Sequence, residues 1–382
     1  MSSPLSEPID LASSAIGGRV VYANDELFAD RRHLIRPEPS AWQPDTYGPD
    51  GKIYDGWETR RRRDGGERDF AIVRLGAPGV LRSVVVDTAH FRGNYPPYAS
   101  LEGLAGEGHP IAQEAPEGAW TTLVEKSALK GDSENSFDVV NQNRWSHVRL
   151  SIYPDGGVAR LRVLGDVVPD PRLLTGTVDL AALWHGGRVV GASNMFYGSA
   201  GNLIRPGETR TIGEGWETAR RRDGGHDWVL FQLSGAGRIR RAEIDTTHFT
   251  GNAPGEVRLV GVDGRVNALE DASAWHELMP RTRLRPDTLH RFVIRSEAVT
   301  HVRMEVFPDG GMSRVRLFGE LEPDALEGVM LQWLRTVPSS QLNEVLGAVT
   351  GLTDEENAAM RHRRPFPPSS GVPAAVRSYL LD

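Results

Sequence analysis

The chain has 382 residues, among them 42 Gly, 25 Pro and no Cys, and a formal net charge of -7. At roughly 100–200 residues per domain the length implies two or three domains, and the missing cysteines exclude a disulfide scaffold, thiolate metal sites and a thiol nucleophile. The acidic balance argues against nucleic acid as a partner, and no apolar run approaches the roughly 18 residues of a membrane span.

In chain order the sequence passes twice through one set of motifs, which organises everything else. MSSPLSEPID lacks the basic and apolar regions of a signal peptide, so a soluble cytoplasmic protein is expected. Gly18-Arg19-Val20-Val21 returns as Gly187-Arg188-Val189-Val190, and Leu34-Ile35-Arg36-Pro37 as Leu203-Ile204-Arg205-Pro206. An insertion of about ten residues, near 42–51, sets the first copy apart. The block Trp57-Glu58-Thr59 with Arg61-Arg62-Arg63-Asp64-Gly65-Gly66 recurs as Trp216-Glu217-Thr218 with Arg220-Arg221-Arg222-Asp223-Gly224-Gly225. Asp87-Thr88-x-His90-Phe91-x-Gly93-Asn94 recurs as Asp245-Thr246-x-His248-Phe249-x-Gly251-Asn252. Pro154-Asp155-Gly156-Gly157 returns as Pro308-Asp309-Gly310-Gly311, each followed by Arg-x-Arg. The duplication implies two homologous domains, 11–168 and 177–321, each long enough for its own core.

Within a copy the segments 70–75, 80–87, 148–153 and 158–164 are short, β-branched and bounded by turn residues, the pattern of strands. Pro154-Asp155-Gly156-Gly157 reads as a hairpin turn joining 148–153 to 158–164. Short strands without intervening helices predict an all-β protein of two jelly-roll sandwiches. The rest, 322–382, forms a helical extension. Leu326, Val329, Met330, Trp333, Leu334 and Val337 follow helical spacing, which Leu342, Val345, Leu346 and Val349 continue. Thr353-x-x-Glu356 is a capping box for a third helix, and Arg364-Pro365-Phe366-Pro367-Pro368 ends helix-compatible sequence.

Each motif has a functional and a bland reading. The Trp-Glu-Thr block offers arginine forks for a carboxylate and acidic acceptors for amide N–H groups; alternatively it is a turn flanked by solvated arginines. Only Lys52, Lys126 and Lys130 are lysines among 44 basic residues, a general bias that genome composition explains. Strand alternation places Asp87, Ala89 and Phe91 on one face and Thr88, His90 and Arg92 on the other. His90 and His248 are the general acid/base candidates, against a structural role at a strand end. No metal-ligand motif, nucleophile elbow or phosphate loop occurs, so the metal assignment is none and cofactors are unspecified.

Residues 55–62, 69–76 and 87–97, with their counterparts at 215–218, 227–228 and 245–252, resemble the allantoicase family over about residues 10–320. The resemblance implies tandem jelly rolls of galactose-binding-like fold, homo-oligomeric assembly and hydrolysis of allantoate to ureidoglycolate and urea. On that footing Arg61, Arg62, Arg220 and Arg221, with Asn94 and Asn252, bind substrate. Glu58 and Glu217 take the ureido group, and His90 and His248 move protons. The rival reading is a non-catalytic carbohydrate-binding jelly roll, with the inserted loop of Trp42 and Tyr47 as an aromatic platform.

Overall fold

The structure, a computed structural model, describes residues 8–42, 44, 46–48, 51–52, 54–106, 111–362 and 371–382. The first repeat holds β1 (Ile9–Asp10), β2 (Arg19–Ala23), β3 (Tyr47–Gly48), β4 (Gly51–Lys52), β5 (Trp57–Glu58) and β6 (Asp69–Asp87). It continues with β7 (Tyr98–Leu104), β8 (Thr121–Ala128), β9 (Glu134–Asp138), β10 (Arg144–Tyr153), β11 (Gly157–Val158) and β12 (Arg160–Val167). The second repeat holds β13 (Val178–Asp179), β14 (Arg188–Ala192), β15 (Trp216–Glu217), β16 (Asp227–Asp245) and β17 (Glu256–Val262). Then come β18 (His276–Arg283), β19 (Leu289–Val293), β20 (Ala298–Phe307), β21 (Gly311–Met312) and β22 (Arg314–Leu321). The mostly-β, twice-built architecture agrees with the expectation from sequence.

One strand organises each repeat. Where the sequence separates 70–75 from 80–87, β6 runs unbroken for 19 residues. Its first half lies between β2 and β10, and its second half between β9 and β12. The strand thus passes from one layer of the sandwich to the other. The crossing falls at Gly76-Ala77-Pro78-Gly79, where close approach demands small residues: a Cβ on Gly79 would stand 2.2 Å from the Asp166 carbonyl oxygen. β16 repeats the arrangement, with β14 and β20 beside its first half and β19 and β22 beside its second. The inner faces carry Val84, Val148, Leu150, Leu161 and Val163, all without exposed surface.

Pro154-Asp155-Gly156-Gly157 is not the hairpin that the turn chemistry implies. β10 and β12 are both antiparallel to β6 and hence parallel to each other, and parallel strands cannot be joined by a tight turn. The motif instead carries the chain between layers, and on the way Gly157 and Val158 pair with Glu58 and Trp57.

After β22 come α1 (Pro323–Thr336), α2 (Ser339–Ala348), α3 (Asp354–His362) and α4 (Ala374–Leu381). The expected stripe is buried at Val329, Met330, Trp333 and Leu334 of α1, and at Leu342, Val345 and Leu346 of α2. The capping box forms: Glu356 N–H donates to Thr353 Oγ1 at 3.2 Å, and Thr353 N–H to Glu356 Oε2 at 3.0 Å. Residues 364–368 lie outside the described ones. The helix α4 beyond them was not expected, because its apolar anchors Val376 and Leu380 give one i, i+4 pair and no readable period. By contacts the described chain divides into two compact units, Pro169–Leu331 with Ser378–Asp382, and Pro8–Val168 with Gln332–Arg377.

Candidate active site

β5 is only two residues long, yet it is firmly held. Glu58 pairs with Gly157 and bridges Ala29, and the buried Trp57 ring donates Nε1–H to the Asp25 carbonyl at 2.8 Å. Gly157 must lack a side chain, since its Cβ would stand 2.0 Å from the Phe91 ring. So anchored, the Glu58 carboxylate is buried and accepts a hydrogen bond from Asn94 Nδ2 at 2.6 Å. Burial pushes the carboxyl above the usual glutamate range, while the Asn94 amide pulls it down. The second repeat reproduces the pair, Asn252 Nδ2 lying 2.5 Å from Glu217 Oε1.

The arginines of the block have divided duties. Arg62 donates to Asp64 from Nε and Nη2, at 3.2 and 3.1 Å, and from Nη1 to Asp69 at 3.1 Å. Its backbone N–H reaches Asp155 Oδ2 at 2.7 Å. Arg221 makes the same set with Asp223, Asp227 and Asp309. Both therefore brace the Asp-Gly-Gly turns. Arg61 and Arg220 are exposed and carry no ion pair among the described residues. Asn24, Asp25, Phe28, Arg60 to Asp64 and Asp69 line an open groove of about 750 Å³.

The histidines sit elsewhere. Alternation fails at Asp87, where β6 ends: Phe91 N–H bonds the Thr88 carbonyl at 2.9 Å and closes a turn. His90 and His248 each adopt a left-handed φ of 71°, a conformation that costs a non-glycine residue about 1 kcal/mol or more. The turn is held by His90 N–H on Asp132 Oδ1 and His248 N–H on Asp287 Oδ1, both at 2.8 Å. His90 Nε2 lies 3.2 Å from the Ser40 carbonyl, and His248 Nε2 lies 3.0 Å from that of Thr209. A carbonyl only accepts, so Nε2 carries the proton and Nδ1 of the neutral ring is the basic nitrogen. Trp42 covers His90, with ring centres 5.6 Å apart, while Tyr47 is exposed.

The structure thus joins Glu58 with Asn94 and Glu217 with Asn252, and puts His90 and Asn94 on one turn. Among the described residues no hydrogen bond or ion pair joins either His to the arginine block. Sequence reasoning missed Asp55, Arg160 and Arg314, although the doubled Arg-x-Arg after each Pro-Asp-Gly-Gly was a signal. Arg160 Nη2 donates to Asp55 Oδ2 at 2.7 Å, both side chains buried. Among the described residues no three His, Asp or Glu side chains form a metal-sized group. Among the described residues no helix is long and apolar enough to cross a membrane.

Fold and site define a duplicated jelly-roll protein carrying, in each half, a hydrogen-bonded Glu–Asn pair, an arginine-bearing turn and a strained histidine turn. The allantoicase repeat family matches it twice, over residues 9–168 and 178–322. A probable allantoicase of Nocardia farcinica is 51% identical over 318 residues, 82% of this chain and 94% of that protein. One from Streptomyces coelicolor is 48% identical over 335 residues, 84% of this chain and 88% of that protein. The crystal structure of allantoicase from Saccharomyces cerevisiae matches with a TM-score of 0.71 at 33% identity, covering 82% of this chain and 94% of that one. The chain belongs to the allantoicase family. Its relatives are named as an enzyme, so the carbohydrate-binding alternative is not favoured.

Proposed function

We propose that the protein hydrolyses allantoate to ureidoglycolate and urea by general acid/base chemistry at its duplicated turns. Allantoate is a carboxylate whose central carbon bears two ureido groups. A proton passes to one ureido nitrogen as its bond to that carbon breaks and urea departs. The lone pair of the other ureido nitrogen forms a C=N bond, and water adds to the carbon. The proton that water releases restores the acid/base group, so one C–N bond is exchanged for one C–O bond and the proton count closes.

The observation that carries the residue assignment is the buried Glu58–Asn94 pair, repeated as Glu217–Asn252. Each carboxylate is an acceptor for ureido N–H groups, and each Asn can turn its amide to the same group. His90 and His248, with Nε2 held on a carbonyl, use Nδ1: as the imidazolium it gives its proton to the departing nitrogen, and as the neutral ring it takes back the proton that water releases. In the arginine block Arg61 and Arg220 are the guanidinium groups free to meet the carboxylate, whereas Arg62 and Arg221 hold the turns that present them. The division into domains at 11–168, 177–321 and 322–382 belongs to the same reading. So do a cytoplasmic location, which rests on the cysteine-free composition, and homo-oligomeric assembly, which rests on the family resemblance.

The test is direct. Purified protein is given allantoate, and urea and ureidoglycolate are measured with and without a chelator. Stoichiometric release of both is expected. Failure to release urea under any metal condition removes the reading.

A further inference from the structure

Where the first repeat has the buried Asp55 the second has Glu214, and the difference leaves Arg314 without a carboxylate partner among the described residues. In repeat 1, Arg160 is spent entirely on its own chain: Nε donates to the Glu38 carbonyl at 2.9 Å, and Nη1 to the carbonyls of Asp55 and Ala159 at 3.0 and 2.8 Å. Its Nη2 donates to the Pro39 carbonyl and, at 2.7 Å, to Asp55 Oδ2. Ala41 N–H holds the same Asp55 oxygen at 2.9 Å, and Ser40 Oγ–H donates to the Asp55 carbonyl at 2.7 Å.

Arg314 copies this arrangement atom by atom as far as Nη1. Its Nε donates to the Gly207 carbonyl at 3.2 Å, and Nη1 to those of Glu214 and Ser313, each at 2.8 Å. There the copy stops. The residue at the Asp55 position is Glu214, and its longer side chain turns away to Arg210, meeting its N–H, Nε and Nη2 at 2.8, 2.9 and 2.6 Å. Arg314 Nη2 has no partner among the described residues, and Arg314 forms no ion pair there. The equivalent of Ser40 is Thr209, a residue 7% exposed whose buried Oγ1 also has no partner. Burial, with Arg316 and Arg205 nearby, pushes the Arg314 guanidinium down to about 10, against the opposing pull of the Glu214 and Asp245 carboxylates.

Arg314 and Thr209 are both among the residues lining one cavity of about 360 Å³, together with Glu243, Asp245, Thr247 and Arg316, a size within the range of small-molecule sites. Arg316 and Glu243 are already engaged, with Asp179 at 3.6 Å and Arg291 at 3.1 Å. Asp245 keeps capacity: its Oδ1 accepts from Thr247 N–H and Oγ1–H at 2.9 and 2.6 Å, which leaves Oδ2. His248 adjoins the cavity, since its Nε2 rests on the Thr209 carbonyl and Thr247 precedes it.

We propose that the repeat-2 cavity is a binding site for a ureido acid, its carboxylate on Arg314 Nη2 and Thr209 Oγ1 and its N–H groups on Asp245, and that repeat 1 fills its own copy with the Asp55 carboxylate. Asp55 is then the internal surrogate for the ligand's carboxylate. The ureido part of the ligand rests on the allantoicase reading; the carboxylate seat rests on the comparison of the repeats. The ten-residue insertion of repeat 1 lies between Ser40 and Asp55, the two residues that close its copy.

Calorimetric titration with N-carbamoylglycine, which carries one carboxylate and one ureido group and no second ureido group to lose, tests this. The full-length protein is expected to bind it. Arg314→Gln weakens binding by about a hundredfold and Thr209→Val by about tenfold, the losses typical of charge-assisted hydrogen bonds. Thr209→Val keeps the proposal falsifiable should Arg314→Gln fail to fold, because no group among the described residues bonds that hydroxyl. A purely structural Thr209 predicts an unchanged or higher Tm and unchanged binding, which overturns the site. So does absence of binding to the unmodified protein. Urea release from allantoate is measured alongside. Arg314-dependent binding without urea release leaves the site and removes the allantoicase reading, and urea release with binding indifferent to both substitutions does the reverse.

Discussion

At the residue scale the protein places its ionisable groups by deciding which are satisfied internally. Arg62 and Arg221 have the side-chain chemistry of a substrate clamp, but each already faces two carboxylates. Glu58 is the opposite case, a buried acid with one amide for company. Its raised pKa means the folded state holds a proton that the unfolded chain has released. Stability from this group is complete at acid pH and is lost as pH rises from the unfolded glutamate value through the folded one. Replacing both carboxyls, Glu58→Gln with Glu217→Gln, keeps an oxygen for Asn94 and Asn252. The double variant is expected to stay folded and to lose this pH-dependent loss of stability at Glu58. Its kcat/KM for allantoate should fall about ten- to a hundredfold through the missing charged acceptors. Steady-state kinetics and melting between pH 4 and 8 check both parts, with pH limits bracketing about 4.3, where free glutamate titrates.

At the element scale, the turn residues were legible in sequence but the connections they make were not. Pro-Asp-Gly-Gly identified a sharp change of direction, and a hairpin is the commonest use of one. Here the flanking strands both pair with β6, so the turn crosses the sandwich. The same crossing makes Gly157 indispensable, because the fully buried Phe91 ring occupies the space of a side chain. Gly157→Ala is expected to destabilise the fold by about 1–3 kcal/mol through overpacking, seen as a lower denaturation midpoint. It would also loosen β5 and with it Glu58. Period-2 alternation failed at His90 for a related reason: the backbone leaves the strand one residue after Asp87, and a left-handed φ has no signature in side-chain polarity. The capping box was readable because its partners are three residues apart.

At the scale of the whole molecule, duplication did not yield two equal halves. The insertion near 42–51 and the change from Asp55 to Glu214, with Arg210 in place of Ala41, give one repeat a carboxylate of its own and the other an open cavity. The cavity site is therefore expected once per chain: in the N-carbamoylglycine titration Arg314→Gln should remove one binding event per chain, over and above any binding at the Arg61 and Arg220 turns. Loss of a second binding event on Arg160→Gln would mean that Asp55 does not occupy the repeat-1 copy.

The sequence by itself determined the β class, the duplication, the amphipathic helices of the tail and the family, since each is written in local spacing or in long repeated strings. The tertiary structure alone decided which charges are spent. Arg160 and Asp55 meet across 105 residues of sequence, and no local pattern shows that Glu214 prefers a neighbour four residues away to the arginine its counterpart serves. The physical reason is that a buried charge is defined by what surrounds it, and those surroundings are assembled from distant parts of the chain only when the strands pair.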